Sequence, residues 1–196
     1  MKKYTSLVLS LIALTLNILC FWFMDVLFNR VFVLVFIPLA FVLLLLIVTV
    51  IINFVLLFRE FNVVMSYIRV GISLITILMI LFFPFRMARV RTEFWLFGNR
   101  RDQVVEMVCN GQIIPDSIGN AELPAGYRAT SSDGTIHVYL NNEEQVICFW
   151  VFRGMLSGSV ELVYSSRGES LIYDNIIGVY SITEMKDHWY LVETEY

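Results

Sequence analysis

Charged side chains are scarce in this 196-residue sequence: only 16% of the residues are Asp, Glu, Lys or Arg, while 58% are apolar. Soluble domains carry about a quarter charged residues, so this composition excludes a soluble enzyme and a disordered chain. Three cysteines and two histidines, without ligand spacing, exclude a disulfide-rich mini-protein and a zinc site. The composition is typical of a membrane protein.

The few charges divide the chain into two unlike halves. Residues 1–89 carry seven Lys or Arg against two acids, a net charge of +5, whereas residues 90–196 carry seven against fifteen, a net charge of −8. An acidic surface is unsuited to the phosphate backbone of a nucleic acid. The sequence therefore predicts a basic membrane half and an acidic extramembrane half, with no nucleic-acid polymer as partner.

Three apolar stretches, residues 4–24, 31–58 and 63–85, are each long enough to cross a bilayer. About 20 residues at 1.5 Å each cover a hydrocarbon core of roughly 30 Å. A cleaved signal peptide is the alternative for the first stretch, but the missing small-residue cleavage site favours a retained helix. Because the connectors are short, we expect residues 1–87 to form a bundle of three antiparallel helices.

Arg69 is the one residue inside these stretches that is charged at pH 7. Such residues often mark a transport pathway, but Arg69 lies near one end of its stretch, from where a long side chain can reach the headgroups. The prediction is an interfacial, snorkelling Arg69. Asn17, Asn53 and Ser73 are predicted to form hydrogen bonds between the helices.

A basic and aromatic segment follows the third stretch. Arg86, Arg89 and Arg91 are interleaved with aromatic residues that include Trp95. Arginine binds lipid phosphates, and tryptophan favours the depth of the headgroups. Residues 88–98 are therefore predicted to be an interfacial linker, and the lipid bilayer is the first predicted partner.

The pattern of residues 99–196 predicts a separate domain. A short helix near Asn99 is expected to precede five or six antiparallel strands in sequence order, as a meander or a barrel-like sheet. The seven apolar residues 146–152 are typical of a central strand covered on both faces. Residues 135–140 alternate in polarity and are expected to form a hairpin with residues 127–130. The predicted fold class is three transmembrane helices plus a small α+β domain.

No motif for a metal, a nucleophile or a phosphate-binding loop is present, so no catalytic residue, metal ligand or cofactor is predicted. Cys109 and Cys148 can pair if the domain faces an oxidising space, although buried free cysteines are common. Arg128 and Arg153 are the candidate ligand-binding residues, because each can bind an anion bidentately. The alternative is an ion pair with Glu143, Glu144 or Glu161.

A series of short motifs runs through residues 101–190. They are Arg101, Val104, Val105, Met107 and Gly111, then Leu123-Pro124, Tyr127, Ser131 and Gly134, then Phe152-Arg153-Gly154, Val163-Tyr164-Ser165 and His188-Trp189-Tyr190. The series resembles a group of uncharacterised membrane-anchored proteins of Gram-positive bacteria. The resemblance implies a bacterial membrane setting and brings with it no activity, ligand or catalytic residue.

These patterns favour a non-enzymatic membrane protein whose β domain binds or senses a ligand, or docks on a partner, at the membrane surface. The partner is either another protein or a second copy that associates through the bundle. The alternative is an immunity or defence factor, acting as toxin immunity or as a membrane effector that senses a cyclic nucleotide.

Orientation follows from the basic residues that flank the three stretches. Four of these basic residues lie on each side of the membrane, so the count alone does not decide the orientation. Lys2 and Lys3 decide it, because the residues before the first helix usually dominate the orientation. We therefore predict a multi-pass protein of the bacterial cell membrane, with a cytoplasmic N-terminus and an extracytoplasmic C-terminal domain.

Overall fold

A computed structural model describes residues 2–24, 27–28, 32–59, 63–141, 144–153 and 158–195. The chain divides into two compact units, Met1–Ala88 and Arg89–Tyr196. Long apolar helices come first and an antiparallel sheet follows, so the predicted fold class is confirmed.

Three helices of the first unit are long and apolar enough to span a membrane: α1 (Lys2–Trp22), α2 (Phe36–Arg59) and α3 (Val64–Phe82). Large apolar side chains are exposed along all three helices, as contact with lipid requires. The largest difference from the predicted stretches lies before α2, where Phe32–Val35 forms a 3-10 turn.

The buried residues of the bundle recur at intervals of three and four, as in a coiled coil. We call them the polar seam, because small and polar side chains dominate. They are Ser6, Ser10, Ala13, Asn17 and Cys20 on α1, Val42, Leu46, Thr49 and Asn53 on α2, and Ser66, Arg69, Ser73 and Thr76 on α3. Small residues allow membrane helices to approach closely, and the polar ones bond across the contact.

Asn53 links all three helices through its amide nitrogen. Its Nδ2 lies 2.8 Å from Ser10 Oγ on α1 and 2.9 Å from Ser73 Oγ on α3. The predicted interhelical bonds are thus confirmed for Asn53 and Ser73. The prediction is wrong for Asn17, whose Nδ2 donates to the carbonyl oxygen of Ala13 within α1.

Arg69 is enclosed by the bundle and is only 1% exposed. Its Nη1 lies 2.7 Å from Ser6 Oγ on α1, and its Nη2 lies 2.7 Å from Ser66 Oγ on α3. The predicted snorkelling is therefore wrong, since the guanidinium group faces the seam. The length of an uncharged run locates a residue along a helix, but not the direction in which its side chain points.

The second unit contains a six-stranded antiparallel sheet in its described part. The strands are β1 (Asn120–Glu122), β2 (Thr135–Asn141), β3 (Glu144–Arg153), β4 (Ser159–Ser165), β5 (Val179–Lys186) and β6 (Trp189–Thr194). Their spatial order is β1-β2-β3-β4-β6-β5, so β6 pairs with β4 and the order departs from a simple meander.

The predicted hairpin partner of β2 is wrong. Arg128–Thr130 forms a 3-10 turn instead of a strand, in which the backbone N–H of Thr130 donates to the carbonyl oxygen of Tyr127. Local bonds of this kind occupy the groups that a strand ladder would need. β2 pairs instead with β1, where Ala121 lies opposite Ile136.

Two helices, α4 (Phe85–Cys109) and α5 (Glu169–Asn175), cover opposite faces of the sheet. Trp189 faces α4: its ring centroid lies 5.9 Å from that of Phe94, and its Nε1 lies 3.0 Å from Asp102 Oδ1. The next residue, Tyr190, belongs to a core cluster with Leu171 of α5. The seven apolar residues 146–152 lie in β3, whose middle residues are buried, as predicted for a central strand.

The helix α4 begins well before Asn99, so the whole of the predicted linker, residues 88–98, is helical. Arg101 links α4 to the rest of the domain by a hydrogen bond, in which its Nε donates to the carbonyl oxygen of Thr130 at 3.0 Å. Burial lowers the pKa of Arg101 to about 10, and Glu93 opposes this shift. Asparagine favours the first position before a helix, which is why the sequence predicts a helix start near Asn99. No proline lies between Pro84 and Asn99 to prevent an earlier start, and the helix begins at Phe85.

Candidate functional site

Polar and aromatic side chains gather on the face of the sheet that α5 partly covers. The strand register places His137 opposite Cys148, and Trp150 opposite Glu161. Alternate residues of a strand share a face, so Tyr139 lies beside His137, with ring centroids 4.4 Å apart. We call the following four residues the aromatic shelf: His137, Tyr139, Trp150 and Arg153.

Trp150 and Arg153 form the most distinctive pair of the shelf. The guanidinium carbon of Arg153 lies 4.7 Å from the centroid of the Trp150 ring, a cation–π geometry. Trp150 is only 8% exposed, and its indole Nε1 has no hydrogen-bond acceptor among the described residues. A buried N–H without an acceptor costs about 1–3 kcal/mol. A ligand that reaches this buried N–H by displacing the side chains over it, and supplies the acceptor, would remove this cost.

His137 is half-buried and is held by Asn120. Its Nδ1 lies 3.0 Å from Asn120 Oδ1, so Nδ1–H donates to the amide oxygen and Nε2 is left as an acceptor. Burial lowers the pKa of His137, while Asp116 raises it and Arg153 lowers it further. The imidazole is therefore neutral at pH 7, and the shelf has one positive charge, that of Arg153.

Glu161 is a buried carboxyl group beside the shelf, only 4% exposed. Ser159 Oγ donates to its Oε1 at 2.6 Å, and the thiol of Cys148 also donates to it. Burial raises the pKa of Glu161, against the effect of these two bonds and of Arg153. Burial also raises the pKa of Cys148 well above its usual range, so this thiol is not a nucleophilic thiolate.

The alternative of a disulfide between Cys109 and Cys148 is excluded, because both cysteines are free. Cys109 is exposed at the end of α4, where its Sγ donates to Gln145 Oε1 at 3.1 Å. Cys148 is buried on the opposite face, in the core cluster that α5 covers. The sheet itself separates the two sulfur atoms.

The two predicted ligand-binding arginines flank one turn, residues 131–134, but have different partners. Arg153 Nη1 lies 3.6 Å from Asp133 Oδ2. Arg128 Nη2 lies 4.0 Å from Glu122 Oε2, and its aliphatic stem lies against Gly134. Each arginine therefore has an ion pair, as the alternative predicted, but with Glu122 or Asp133 in place of Glu144 or Glu161. The third predicted carboxylate, Glu143, lies outside the described residues. Of the two arginines, Arg153 belongs to the shelf.

The five residues predicted to lie at the membrane interface differ in how exposed they are. Arg86 and Arg91 are exposed, and Trp95 is 81% exposed. The Arg89 side chain is only 12% exposed, with its Nε 3.0 Å from Glu93 Oε1, so its predicted role at the interface is corrected. Arg69 lies in the polar seam. Three of the five predicted residues thus have surfaces that a lipid headgroup can reach.

Sequence reasoning missed Trp150, His137 and Glu161 as members of one site. In the sequence, Trp150 is one of the seven apolar residues 146–152, and Glu161 was considered only as an ion-pair partner of the two arginines. The signal that was available is the apolar spacing of Leu171, Ile172 and Ile176, which indicates a second helix that covers this side.

No family model, curated protein or solved structure matches this chain. The resemblance of residues 101–190 to membrane-anchored proteins of Gram-positive bacteria therefore stays a prediction. The chain itself defines its class: a bundle of helices that can span a membrane, joined to an antiparallel β domain.

Replacing Glu161 with Gln is predicted to flatten the pH dependence of the β domain's stability. A carboxyl group with a raised folded pKa stabilises the fold below its unfolded pKa, and this contribution is lost as the pH rises through the folded pKa. The wild-type domain should therefore lose stability as the pH rises from about 4. Urea unfolding of the full-length protein in nanodiscs, followed from acidic to neutral pH, measures the slope.

Glu122→Gln is the matched control, because it makes the same change at a side chain that is 84% exposed in the same domain. This variant should keep the wild-type slope over the same pH range. Equal slopes for wild type and Glu161→Gln would contradict the assignment of the titration to Glu161.

Proposed function

We propose that this chain is a non-enzymatic recognition protein of the membrane, whose β domain binds a ligand or a partner's side chain on the aromatic shelf. One observation carries the proposal: the indole N–H of Trp150 has no acceptor in the described structure, and a half-exposed guanidinium group stacks on the same ring. A ligand with one acceptor oxygen and a planar ring satisfies both groups.

Charge narrows the class of ligand. The domain carries a net charge of −8, which disfavours polyanions. The ion pair of Arg153 with Asp133 is exposed, and such pairs contribute about 0–1 kcal/mol, so a carboxylate ligand can displace Asp133 at small cost. We therefore propose an aromatic monocarboxylate, either free or presented by a partner protein.

Benzoate is a suitable probe, tested by saturation-transfer NMR on the full-length protein in nanodiscs. We expect saturable binding that weakens about tenfold or more in Trp150→Phe and in Arg153→Gln, because a hydrogen bond to a charged group contributes about 1.5–3 kcal/mol. Cyclohexanecarboxylate, which has the charge without the aromatic ring, should bind more weakly than benzoate.

Arg128→Gln is the matched control, since Arg128 flanks the same turn and is exposed to a similar degree. This variant should bind benzoate as wild type does. Equal losses in Arg128→Gln and Arg153→Gln would point to a nonspecific charge effect, and no saturable binding would refute the shelf as an aromatic carboxylate site.

The defence alternative stays a second hypothesis. A sensor of a cyclic nucleotide needs Arg128 and Arg153 to converge on one phosphate. Their separate ion pairs, with Glu122 and Asp133, support the monocarboxylate first.

We also propose a bacterial membrane setting with the N-terminus in the cytoplasm and the β domain outside. With Arg69 in the bundle, the flanking basic residues count three inside against four outside, so the proposal rests on Lys2 and Lys3 before the first helix. Exposed Cys109 allows a direct test by a membrane-impermeant maleimide on intact cells, with Cys109→Ser as control. Labelling that requires permeabilised cells would place the domain in the cytoplasm.

A further inference from the structure

The outer face of α4 combines two exposed apolar side chains with two exposed arginines. Trp95 is 81% exposed and Leu96 is 72% exposed. Arg91 precedes Trp95 by four residues, and Arg100 follows Leu96 by four, and both arginines are exposed. Residues four apart are neighbours on a helix surface. Arg91 with Trp95 and Leu96 with Arg100 thus form two pairs on the outer face of α4, and we call these four side chains the patch.

This patch lies on a different side of α4 from the residues that pack on the sheet. Val90, Phe94 and Val104 are buried on the other side of the helix, where the Phe94 ring contacts Trp189. Among the described residues, Trp95 and Leu96 therefore lie mostly outside the packing of α4 on its own domain, and their apolar surface is left for another partner.

The charges around the patch indicate what that partner is. The domain as a whole is acidic, yet Trp95 and Leu96 each have an arginine four residues away along the helix, Arg91 and Arg100 respectively. The nearest acid, Glu93, is already paired with Arg89. A bilayer surface is apolar below and carries phosphates above, where tryptophan and arginine are each favoured.

The chain itself keeps this face close to a bilayer. The helix α3 ends at Phe82, and Trp95 follows thirteen residues later. Even a fully extended chain of that length spans at most about 45 Å. Weak contacts then suffice, because a tethered surface meets lipid at a high effective concentration.

We propose that the outer face of α4, defined by Arg91, Trp95, Leu96 and Arg100, docks on a bilayer surface that contains anionic phospholipid. Docking would hold the β domain against the membrane. This contact is separate from the aromatic shelf, since α4 covers the opposite face of the sheet.

Fluorescence quenching tests the proposal on the full-length protein in nanodiscs. The discs contain phosphatidylcholine with or without phosphatidylglycerol, and a lipid that is spin-labelled at headgroup depth. The chain has four tryptophans, so the signal of Trp95 is the difference between wild type and Trp95→Phe. We expect this difference to be quenched, and more strongly in the anionic discs. Arg91→Gln and Arg100→Gln should each shift the ratio of docked to undocked protein about fivefold.

Leu96→Glu and Ile114→Glu form a matched pair, because Ile114 is 81% exposed in the same domain but lies outside α4. Leu96→Glu should reduce the quenching of Trp95, whereas Ile114→Glu should not. Both side chains are exposed, so both variants should melt as wild type does, which separates lost docking from unfolding.

Two results would overturn the proposal. One is quenching that is the same for wild type and Trp95→Phe in anionic discs. The other is a change of oligomeric state in Leu96→Glu, seen by light scattering without a change in quenching, which would assign the face to a second copy.

Discussion

A full-length protein with Phe149→Ala should lose about 3–5 kcal/mol of the β domain's unfolding free energy. Phe149 is 0% exposed in the central strand β3, and its ring centroid lies 5.6 Å from that of Trp189. Truncation leaves a cavity between the sheet and α4 that neighbouring strands can fill only in part. Urea unfolding in nanodiscs, followed by the near-ultraviolet circular dichroism of the buried aromatics, measures the loss.

Leu140→Ala is the control for this change, because Leu140 lies on the neighbouring strand β2 and is 57% exposed. It should alter the unfolding free energy by no more than about 0.5 kcal/mol. A loss below about 1.5 kcal/mol in Phe149→Ala would mean that the strand is less tightly enclosed than its burial indicates.

Those parts of the fold that depend on local pattern could be predicted from the sequence. The three membrane helices follow from the length of the apolar stretches, and β3 follows from its unbroken run of apolar residues. The hairpin of β5 and β6 follows from two segments, residues 179–185 and 189–194, on either side of a short polar turn. In each case the signal lies within one or two neighbouring segments.

Features that depend on contacts between distant segments could not be predicted. The pairing of β6 with β4 depends on α5, which carries the chain across one face before β5 begins. The inward direction of Arg69 depends on Ser6, sixty-three residues away in the chain. Periodicity within one helix does not show which residues of another helix will face it.

The candidate site was found only in part for the same reason. Arg153 was a candidate because a guanidinium group in an acidic domain can bind an anion bidentately, but nothing local distinguished Trp150 from a core residue. The register of β3 with β4 places Trp150 beside Glu161, and register is set by the whole sheet. Arg128, with the same local signal as Arg153, lies against Gly134 and not on the shelf.

Because α4 begins well before Asn99, two fragments of the β domain that begin at Arg89 and at Asn99 should differ strongly in stability. A fragment that begins at Arg89 contains one complete compact unit and should fold alone with a cooperative melt. A fragment that begins at Asn99 should be less stable by about 3–5 kcal/mol, because it lacks Phe94, which is 5% exposed and contacts Trp189.

The shorter fragment also lacks the carbonyl oxygen of Glu93, which lies 3.1 Å from Nη1 of the buried Arg101. Thermal and urea melts of both fragments measure the difference, and Phe94→Ala in the longer fragment should reproduce most of it. Equal melts would show that the first turns of α4 add nothing to the fold. A molten longer fragment would show that the β domain needs the rest of the chain in order to fold. Residues 89–196 would then be a compact unit without being an independently stable domain.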